Sequence, residues 1–227
     1  MTKPVSKSTP LPSHLPSDLV SVHIATSTSS LKQGFPPPIC HKLVGFAAIT
    51  VKAEGGGIEL LTQTDVDGEK HLLTTLANIT TEKDVVNFIP HRFTLPVLRG
   101  AAYRTGTPFT PLDPVWFDMG AWFGNGKTSM SDCAVATGLG ERHELDISLA
   151  LKDGRLGDVE DQLLIDAFSV LCMRLRQIIV EDGYDVELYR TTVGEVRKKV
   201  RATVKEQGCK KYVSWKGMTS KKMFLLK

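Results

Sequence analysis

The amino-acid sequence predicts an α/β domain built on a small mixed sheet, in which three antiparallel strands come first and parallel strands joined through helices follow. Segments with the alternation and β-branched composition of strands are concentrated in the first third of the 227-residue chain, and segments with the 3.6-residue period of helices come later. The composition, with 41% hydrophobic and 23% charged residues, is that of a globular domain. It excludes a collagen-like, a coiled-coil or a wholly disordered chain.

The three antiparallel strands are predicted from their patterning and from the turns between them. Residues 19–26 alternate apolar side chains with polar or small ones, which is typical of a half-buried strand. A Gly-Phe-Pro-Pro-Pro turn at residues 34–38 leads to a second strand over 42–51. The glycine run at 55–57 then indicates a hairpin into a third strand over 58–62.

The rest of the chain is predicted to combine helices with short strands. A helix over 67–79 has acidic residues in its first turn, and one over 95–105 has Pro96 in its first turn, where the missing N–H costs nothing. The clearest helical periodicity lies at 159–180. The remaining elements are two strands and a short helix, expected at residues 84–89, 115–123 and 129–137.

Both ends of the chain differ in composition from this body. Residues 1–18 are rich in proline, serine and threonine and are predicted to be a disordered leader. Residues 190–227 carry 12 Lys and Arg against 2 Asp and Glu, whereas residues 1–189 carry 16 against 23. We therefore expect a folded domain over 19–189 and a basic C-terminal extension over 190–227.

No apolar stretch approaches the roughly 18 to 20 residues of a membrane-spanning helix, and the first residues lack the apolar run of a signal peptide. We expect a cytoplasmic protein with no membrane partner. The four cysteines are far apart and form no C-x-x-C pair, which excludes a disulfide scaffold and a structural zinc site. Cys40 beside His41 is the one hint of a ligand pair, and metal binding is not expected there.

A phosphate-binding loop is a further interpretation, suggested by the glycine-rich segment that ends in Gly126-Lys127-Thr128. The full pattern requires a glycine five residues before Gly126, where this chain has Ala121. The segment Leu163–Asp166, which has the composition of a magnesium-binding strand end, lies in a helical pattern instead. The sequence thus disfavours a nucleotide-hydrolysing protein.

Three segments, taken together and in order, resemble the DEDD-type 3′-5′ exonucleases. They are residues 41–46, residues 85–98 with the run Phe-Thr-Leu-Pro-Val-Leu, and the helix at 158–176. The resemblance covers roughly residues 20–185. It is closest to the stand-alone predicted exonucleases related to the proofreading domain of family-B DNA polymerases. It implies a ribonuclease-H-like fold with a cleft that collects the site residues.

The resemblance also assigns positions to a catalytic site. The family's first strand reads like F-D-I-E-T, and the matching strand here has His23 and Ala25 at the two carboxylate positions. The second motif, W-N-G-R-G-F-D-L-P-V-L, has Thr94 in place of its aspartate. In the third, Y-C-E-x-D-V, Asp166 matches the last aspartate and Gln162 stands at the catalytic tyrosine. The implied site is therefore vestigial, with Asp166 as its remnant.

Two-metal phosphodiester cleavage needs several hard oxygen ligands around two ions about 4 Å apart. A site with one aspartate is expected to bind Mg²⁺ or Mn²⁺ poorly, so no cofactor is predicted. An alternative is that His23 and Asp166 together hold one softer divalent ion. His91 and Arg92, beside Thr94, are expected at the rim of the cleft, where they either contact phosphate or are simply exposed.

The basic extension is the second predicted nucleic-acid contact, because aromatic side chains alternate with its lysines and arginines. The alternative is a solvated tail that keeps the protein soluble. The residues expected to bind single-stranded or duplex DNA, or RNA, are Arg197, Lys198, Lys199, Arg201, Lys210, Lys211 and Trp215.

Three hypotheses for function follow from these features. The first is a catalytically impaired, exonuclease-like module that binds nucleic acid or acts as an adaptor. The second is an active, divergent 3′-5′ exonuclease that uses Mg²⁺ or Mn²⁺ and takes its missing carboxylates from residues such as Glu54, Asp84, Asp113 or Asp118. The third is a protein-interaction subunit whose basic tail docks an acidic partner.

Overall fold

The computed structural model describes residues 15, 17–28, 36–53, 57–108, 116–124, 127–136 and 145–206. In this part of the chain three strands come first, helices and strands then alternate, and five helices follow, of which the last two are the longest. In chain order the elements are β1 (Leu19–Ser27), β2 (Lys42–Val51), β3 (Ile58–Thr64), α1 (Glu69–Thr80), β4 (Asp84–Asn87), α2 (Leu95–Thr105), β5 (Trp116–Asp118), α3 (Met119–Trp122), α4 (Met130–Ala136), α5 (Ile147–Lys152), α6 (Leu156–Asp182) and α7 (Val186–Glu206). Among the described residues, no helix combines the length and the apolar content needed to span a bilayer.

The five strands form one mixed sheet in the order β3-β2-β1-β4-β5. The first three strands pair antiparallel as a meander, and β4 and β5 add to β1 in parallel. Helices α1 and α2 connect β3 to β4 and β4 to β5 in sequence. The predicted fold class is confirmed: this is an α/β protein with a five-stranded mixed sheet and flanking helices, an architecture compatible with the ribonuclease-H-like arrangement.

The alternation of β1 divides its side chains between two cores. Val20, Val22 and Ile24 belong to the core shared with α1 and α2. Leu19 and Ala25 belong to the core shared with α6 and α7. Because side chains two residues apart share a face of a strand, His23 lies on the α6 side as well.

Helix α6 is buried on nearly all sides because it lies between the sheet and α7. Its buried face includes four polar side chains, Asp161, Gln162, Asp166 and Ser169. The Ser21 hydroxyl donates a hydrogen bond to the Ala167 carbonyl at 2.7 Å and ties β1 to the middle of α6. A polar surface of α6 is therefore held against the central strand.

Helix α7 changes the expected organisation of the C-terminal region. Its residues Val193, Val196, Val200 and Val204 are fully buried in the core that contains α6. Residues 190–206, assigned from charge to the basic extension, thus belong to the packed body. Of the expected leader, Leu15 is described and is buried in the same core, whereas residues 1–14 lie outside the described part of the chain.

Two predicted elements differ from the structure near the cleft. The strand expected over 115–123 ends at Asp118, because the Asp118 carboxylate accepts a hydrogen bond from the Ala121 N–H at 2.8 Å and begins α3. The strand expected over 84–89 ends at Asn87, and a π-helical turn over Pro90–Thr94 leads into α2. Helix α5 had no sequence prediction.

A buried carboxylate fixes the start of β2 to α1 and α2. Glu69 accepts hydrogen bonds at 2.8 Å from the Leu43 N–H and from Arg104, which also donates to the carbonyls of Ile39 and His41. Burial alone raises the pKa of Glu69, but the hydrogen bonds from Arg104 and Leu43 outweigh it and the pKa is lowered. Glu69 and Arg104 therefore form a structural ion pair.

Candidate functional site

A cleft of about 240 Å³ opens where β1 and β4 end on the sheet. The carboxyl ends of neighbouring parallel strands lie at the same edge, which is where ligands bind in open α/β sheets. The lining combines aromatic and aliphatic side chains with three polar ones. Its residues are His23, Ile24, Asn87, Phe88, Ile89, Phe93, Thr94 and Met130.

Three of the predicted site residues meet at the back of this cleft. The Nε2 atom of His23 on β1 lies 3.4 Å from Oδ2 of Asp166 on α6. Gln162, one turn earlier on α6, donates a hydrogen bond from Nε2 to Oδ1 of Asp166 at 2.8 Å. Asp166 is fully buried, whereas 23% of the His23 side chain is exposed. Both carboxylate oxygens of Asp166 are thus in contact with neighbouring polar side chains.

Thr94 lines the same cleft from the π-helical turn before α2. Its hydroxyl donates to Oδ1 of Asn87 at 3.0 Å, and Asn87 in turn donates from Nδ2 to the Val22 carbonyl at 2.8 Å. Asn87 also accepts a hydrogen bond from the Ile89 N–H at 3.1 Å. This asparagine therefore holds β1, β4 and the turn together under the cleft.

Sequence reasoning missed Asn87 as a member of this site. The available signal was a polar residue directly after the apolar pair Val85 and Val86, within the strand predicted over 84–89. The resemblance to exonuclease motifs drew attention to Thr94 instead, seven residues later.

The residues of the cleft do not fit a pair of divalent cations. Ala25 is buried and offers a methyl group where a carboxylate is needed, and Thr94 offers a hydroxyl that is bonded to Asn87. Among the five positions that the resemblance assigns to the site, Asp166 supplies the single carboxylate. Within the described residues, no three His, Cys, Asp or Glu side chains are grouped so that they could hold a metal ion.

The hypothesis of an active exonuclease takes the missing metal ligands from four other carboxylates. Among the described residues, none of these carboxylates joins Asp166 in a group of three or more possible metal ligands. Asp84 begins β4 and accepts a hydrogen bond from Ser17, so it lies at the opposite end of the strand from Thr94. Asp118 caps α3. Glu54 and Asp113 lie outside the described residues.

The segment considered as a phosphate-binding loop follows helix α3 rather than a strand. Its residues 125 and 126 lie outside the described part of the chain. Leu163–Asp166 is helical, as the periodicity predicted. The strand-loop-helix context of a nucleotide-binding loop is therefore missing from the described residues around Lys127.

The predicted rim residues, His91 and Arg92, are both exposed on the π-helical turn that carries Phe93 and Thr94 into the cleft. The basic residues of α7 lie elsewhere, beside β3 at the other edge of the sheet from β5. Lys199 donates to the Ile58 carbonyl at 2.6 Å there.

The rest of the predicted basic surface is only partly described. Lys198 pairs with Glu195 at 2.6 Å, Arg201 is exposed and Arg197 is half-buried. The predicted contacts Lys210, Lys211 and Trp215 lie outside the described residues. The basic residues of α7 and the cleft rim therefore form two separate sets.

Fold and site together define an α/β protein with a five-stranded mixed sheet, flanking helices and a polar cleft between β1, β4 and α6. Comparison of the chain with protein-family models returns no matching family. Comparison with curated proteins returns no relative either.

Proposed function

We propose that this protein is a catalytically impaired, exonuclease-like module that binds nucleic acid or acts as an adaptor. The observation that carries the proposal is the environment of Asp166. Its carboxylate contacts the side chains of His23 and Gln162. In this proposal, the cleft corresponds to the one in which an exonuclease holds its metal ions, and His23, Ala25 and Thr94 stand where three of the ligating carboxylates would be.

The charge at this position supports a loss of catalysis. Two divalent cations held about 4 Å apart bring four positive charges, which several anionic ligands must balance. Asp166 contributes one negative charge, and its buried oxygens already contact two polar neighbours. His23, Ala25 and Thr94 add no negative charge.

The same cleft has features that suit an unpaired base. Phe88, Ile89 and Phe93 give it aromatic and aliphatic walls, and bases stack on such side chains with little dependence on sequence. His91 and Arg92 are exposed on the adjacent turn, which supports a contact with the sugar-phosphate backbone. A single strand entering the cleft would meet both kinds of group.

A matched pair of charge variants tests this assignment. Fluorescence anisotropy with a labelled single-stranded oligonucleotide would be measured over a series of salt concentrations for the full chain, for Arg92→Ala and for Lys83→Ala. Arg92 lies at the cleft, whereas Lys83 directly precedes β4 at the opposite end of that strand. Each change removes one positive charge.

We expect Arg92→Ala to weaken binding and to reduce the slope of log affinity against log salt by about 1, because one phosphate contact is lost. Lys83→Ala should keep the slope of the parent chain. Equal effects of the two changes would contradict binding at the cleft. Absence of binding to any nucleic acid would contradict the proposal and favour the protein-interaction hypothesis.

A further inference from the structure

A second and larger cavity, of about 410 Å³, lies at the other end of the sheet from the cleft. It is bordered by the end of β2, the start of β3 and the first half of α7, and Val51 and Ile58 pair there next to the start of β1. The lining is mainly apolar with an acidic rim. Its residues are Leu15, Val51, Lys52, Gly57, Ile58, Asp185, Glu187, Leu188, Thr191, Thr192 and Glu195.

The charge of this cavity is negative on balance. Among the described residues of the lining, Asp185, Glu187 and Glu195 contribute three carboxylates, and Lys52 contributes one ammonium group. Lys52 already has two acidic neighbours, Asp18 and Glu59, each at 3.4 Å. Such a rim disfavours nucleic acid and favours a basic ligand with an apolar side chain to insert.

Positive charges next to the rim do not cancel this preference. Arg190 lies 3.6 Å from Glu187, and Lys198 lies 2.6 Å from Glu195, but both pairs are exposed to solvent. Exposed ion pairs of this kind contribute little and exchange readily. Glu187 and Glu195 therefore remain able to meet a second cation.

The chain itself contains a segment of the complementary chemistry. Residues 207–227, which follow α7, carry six lysines and no Asp or Glu. The segment also contains large apolar side chains, among them Tyr212, Trp215 and Phe224. Trp215 stands between Lys211 and Lys216 and so combines the two properties that the cavity selects.

The length of the segment allows it to return to the cavity. Helix α7 ends at Glu206, and at 1.5 Å per residue Leu188 lies about 27 Å back along its axis. The nine residues from Glu206 to Trp215 span up to about 30 Å when extended. Trp215 is the first tryptophan after α7. These distances place it within reach of the cavity wall.

We propose that residues 207–227 dock on their own chain, with Trp215 in the cavity between β3 and α7 and the flanking lysines against Asp185, Glu187 and Glu195. This docking would hold Lys210 and Lys211 away from other polyanions. It does not depend on the function proposed for the cleft.

Cross-linking from the tryptophan position tests the proposal on the full chain. A benzophenone amino acid would replace Trp215, and the cross-linked residues would be mapped by mass spectrometry after irradiation. We expect cross-links within one chain to residues 51–58 and 185–195. Cross-links to other regions, cross-links between chains, or none at all would overturn the proposal.

Two arginine substitutions on α7 provide the matched control. Thr191 lines the cavity and is exposed, whereas Ala202 is exposed on the same helix outside it. Thr191→Arg, which adds bulk and a positive charge at the rim, should reduce the cross-link yield several-fold, and Ala202→Arg should leave it unchanged. Equal yields in the two variants would contradict docking in the cavity, and neither exposed substitution removes a core side chain.

Discussion

Asp166 is held in its buried position by two polar side chains, Gln162 and His23. Gln162 donates to one carboxylate oxygen, and His23 lies against the other. Buried polar groups require such partners, because burial removes their hydrogen bonds to water and an unpartnered group gains no hydrogen bond within the protein. In this chain the residue acts as a link between β1 and α6.

Removing this link should therefore cost stability. We expect Asp166→Ala to lower the free energy of unfolding by about 1 to 3 kcal/mol, since Gln162 and His23 lose a buried partner. Asp67, whose side chain is fully exposed, provides the control. Asp67→Ala should change stability by no more than about 0.5 kcal/mol. Urea denaturation measures both, and equal values for the two variants would contradict the structural role.

Glu69 predicts a dependence of stability on pH. Its pKa is lowered in the folded protein from an ordinary value of 4.5, by hydrogen bonds from Arg104 and Leu43 that outweigh the effect of burial. The unfolded chain therefore binds the proton more tightly. The stabilisation is complete above the unfolded value and is lost as the pH falls through the lowered folded value.

Denaturation curves at a series of acidic pH values measure this contribution. Glu69→Gln should be less stable than the parent chain near neutral pH and should lose less stability on acidification. Arg104→Leu removes the strongest partner of the carboxylate and should flatten the same part of the profile. A parent and a Glu69→Gln protein with parallel profiles would contradict the assigned ion pair.

Two helical glycines, Gly100 in α2 and Gly194 in α7, differ in the space around them. A methyl group on Gly100 in α2 would come within 2.1 Å of the Ile39 carbonyl oxygen, whereas a methyl group on Gly194 in α7 would meet nothing within 4 Å. The close approach of α2 to the turn before β2 therefore requires a glycine at position 100.

Alanine substitutions should accordingly have opposite effects. Gly100→Ala should lower the free energy of unfolding by about 1 to 3 kcal/mol, because the backbone has to shift. Gly194→Ala should raise it by up to about 1 kcal/mol, since alanine has the higher helix propensity. Thermal or urea denaturation compares them, and a stabilised Gly100→Ala protein would show that α2 is not packed as described.

Substitutions on the exposed side of α7 test whether that helix contributes to polyanion binding. Changing Lys198, Lys199 and Arg201 to glutamine removes three charges from a helix whose stability depends on its buried valines. We expect weaker binding for all sequences and a salt dependence flatter by up to about three units of slope. Anisotropy titrations measure it. An unchanged slope would mean that this helix serves only for packing.

The strands of the meander could be predicted from the sequence because alternation and turn residues are local signals. Residues 19–26, 42–51 and 58–62 match β1, β2 and β3 closely. The juxtaposition of His23 and Asp166 came from the resemblance to exonuclease motifs, since no local pattern relates residues so far apart. Asn87 was missed because its importance lies in its hydrogen bonds to Val22 and Thr94.

Charge alone did not predict where helix α7 packs. Residues 190–227 were grouped by their lysines and arginines, yet Val193, Val196 and Val200 recur at helical spacing and are fully buried. The apolar face decides where a helix packs, because its burial contributes far more than exposed charges do. A boundary drawn from net charge at residue 190 therefore falls within α7.

At the scale of the whole molecule, one sheet carries two chemically different cavities at its two ends. The cleft near Asn87 and Thr94 has aromatic walls and exposed basic residues on its adjacent turn. The cavity near Ile58 and Leu188 has an acidic rim. Helix α6 contacts β1 on one side and α7 on the other, so it supports both.

We propose that the cleft binds nucleic acid without cutting it, and one experiment measures both properties. The direct measurement follows a labelled single-stranded oligonucleotide with the purified full chain in Mg²⁺, in Mn²⁺ and in a chelator, recording binding by anisotropy and strand length on a denaturing gel in the same samples. We expect salt-dependent binding and an intact strand under all three conditions. Metal-dependent shortening of the strand that Asp166→Ala abolishes would contradict it.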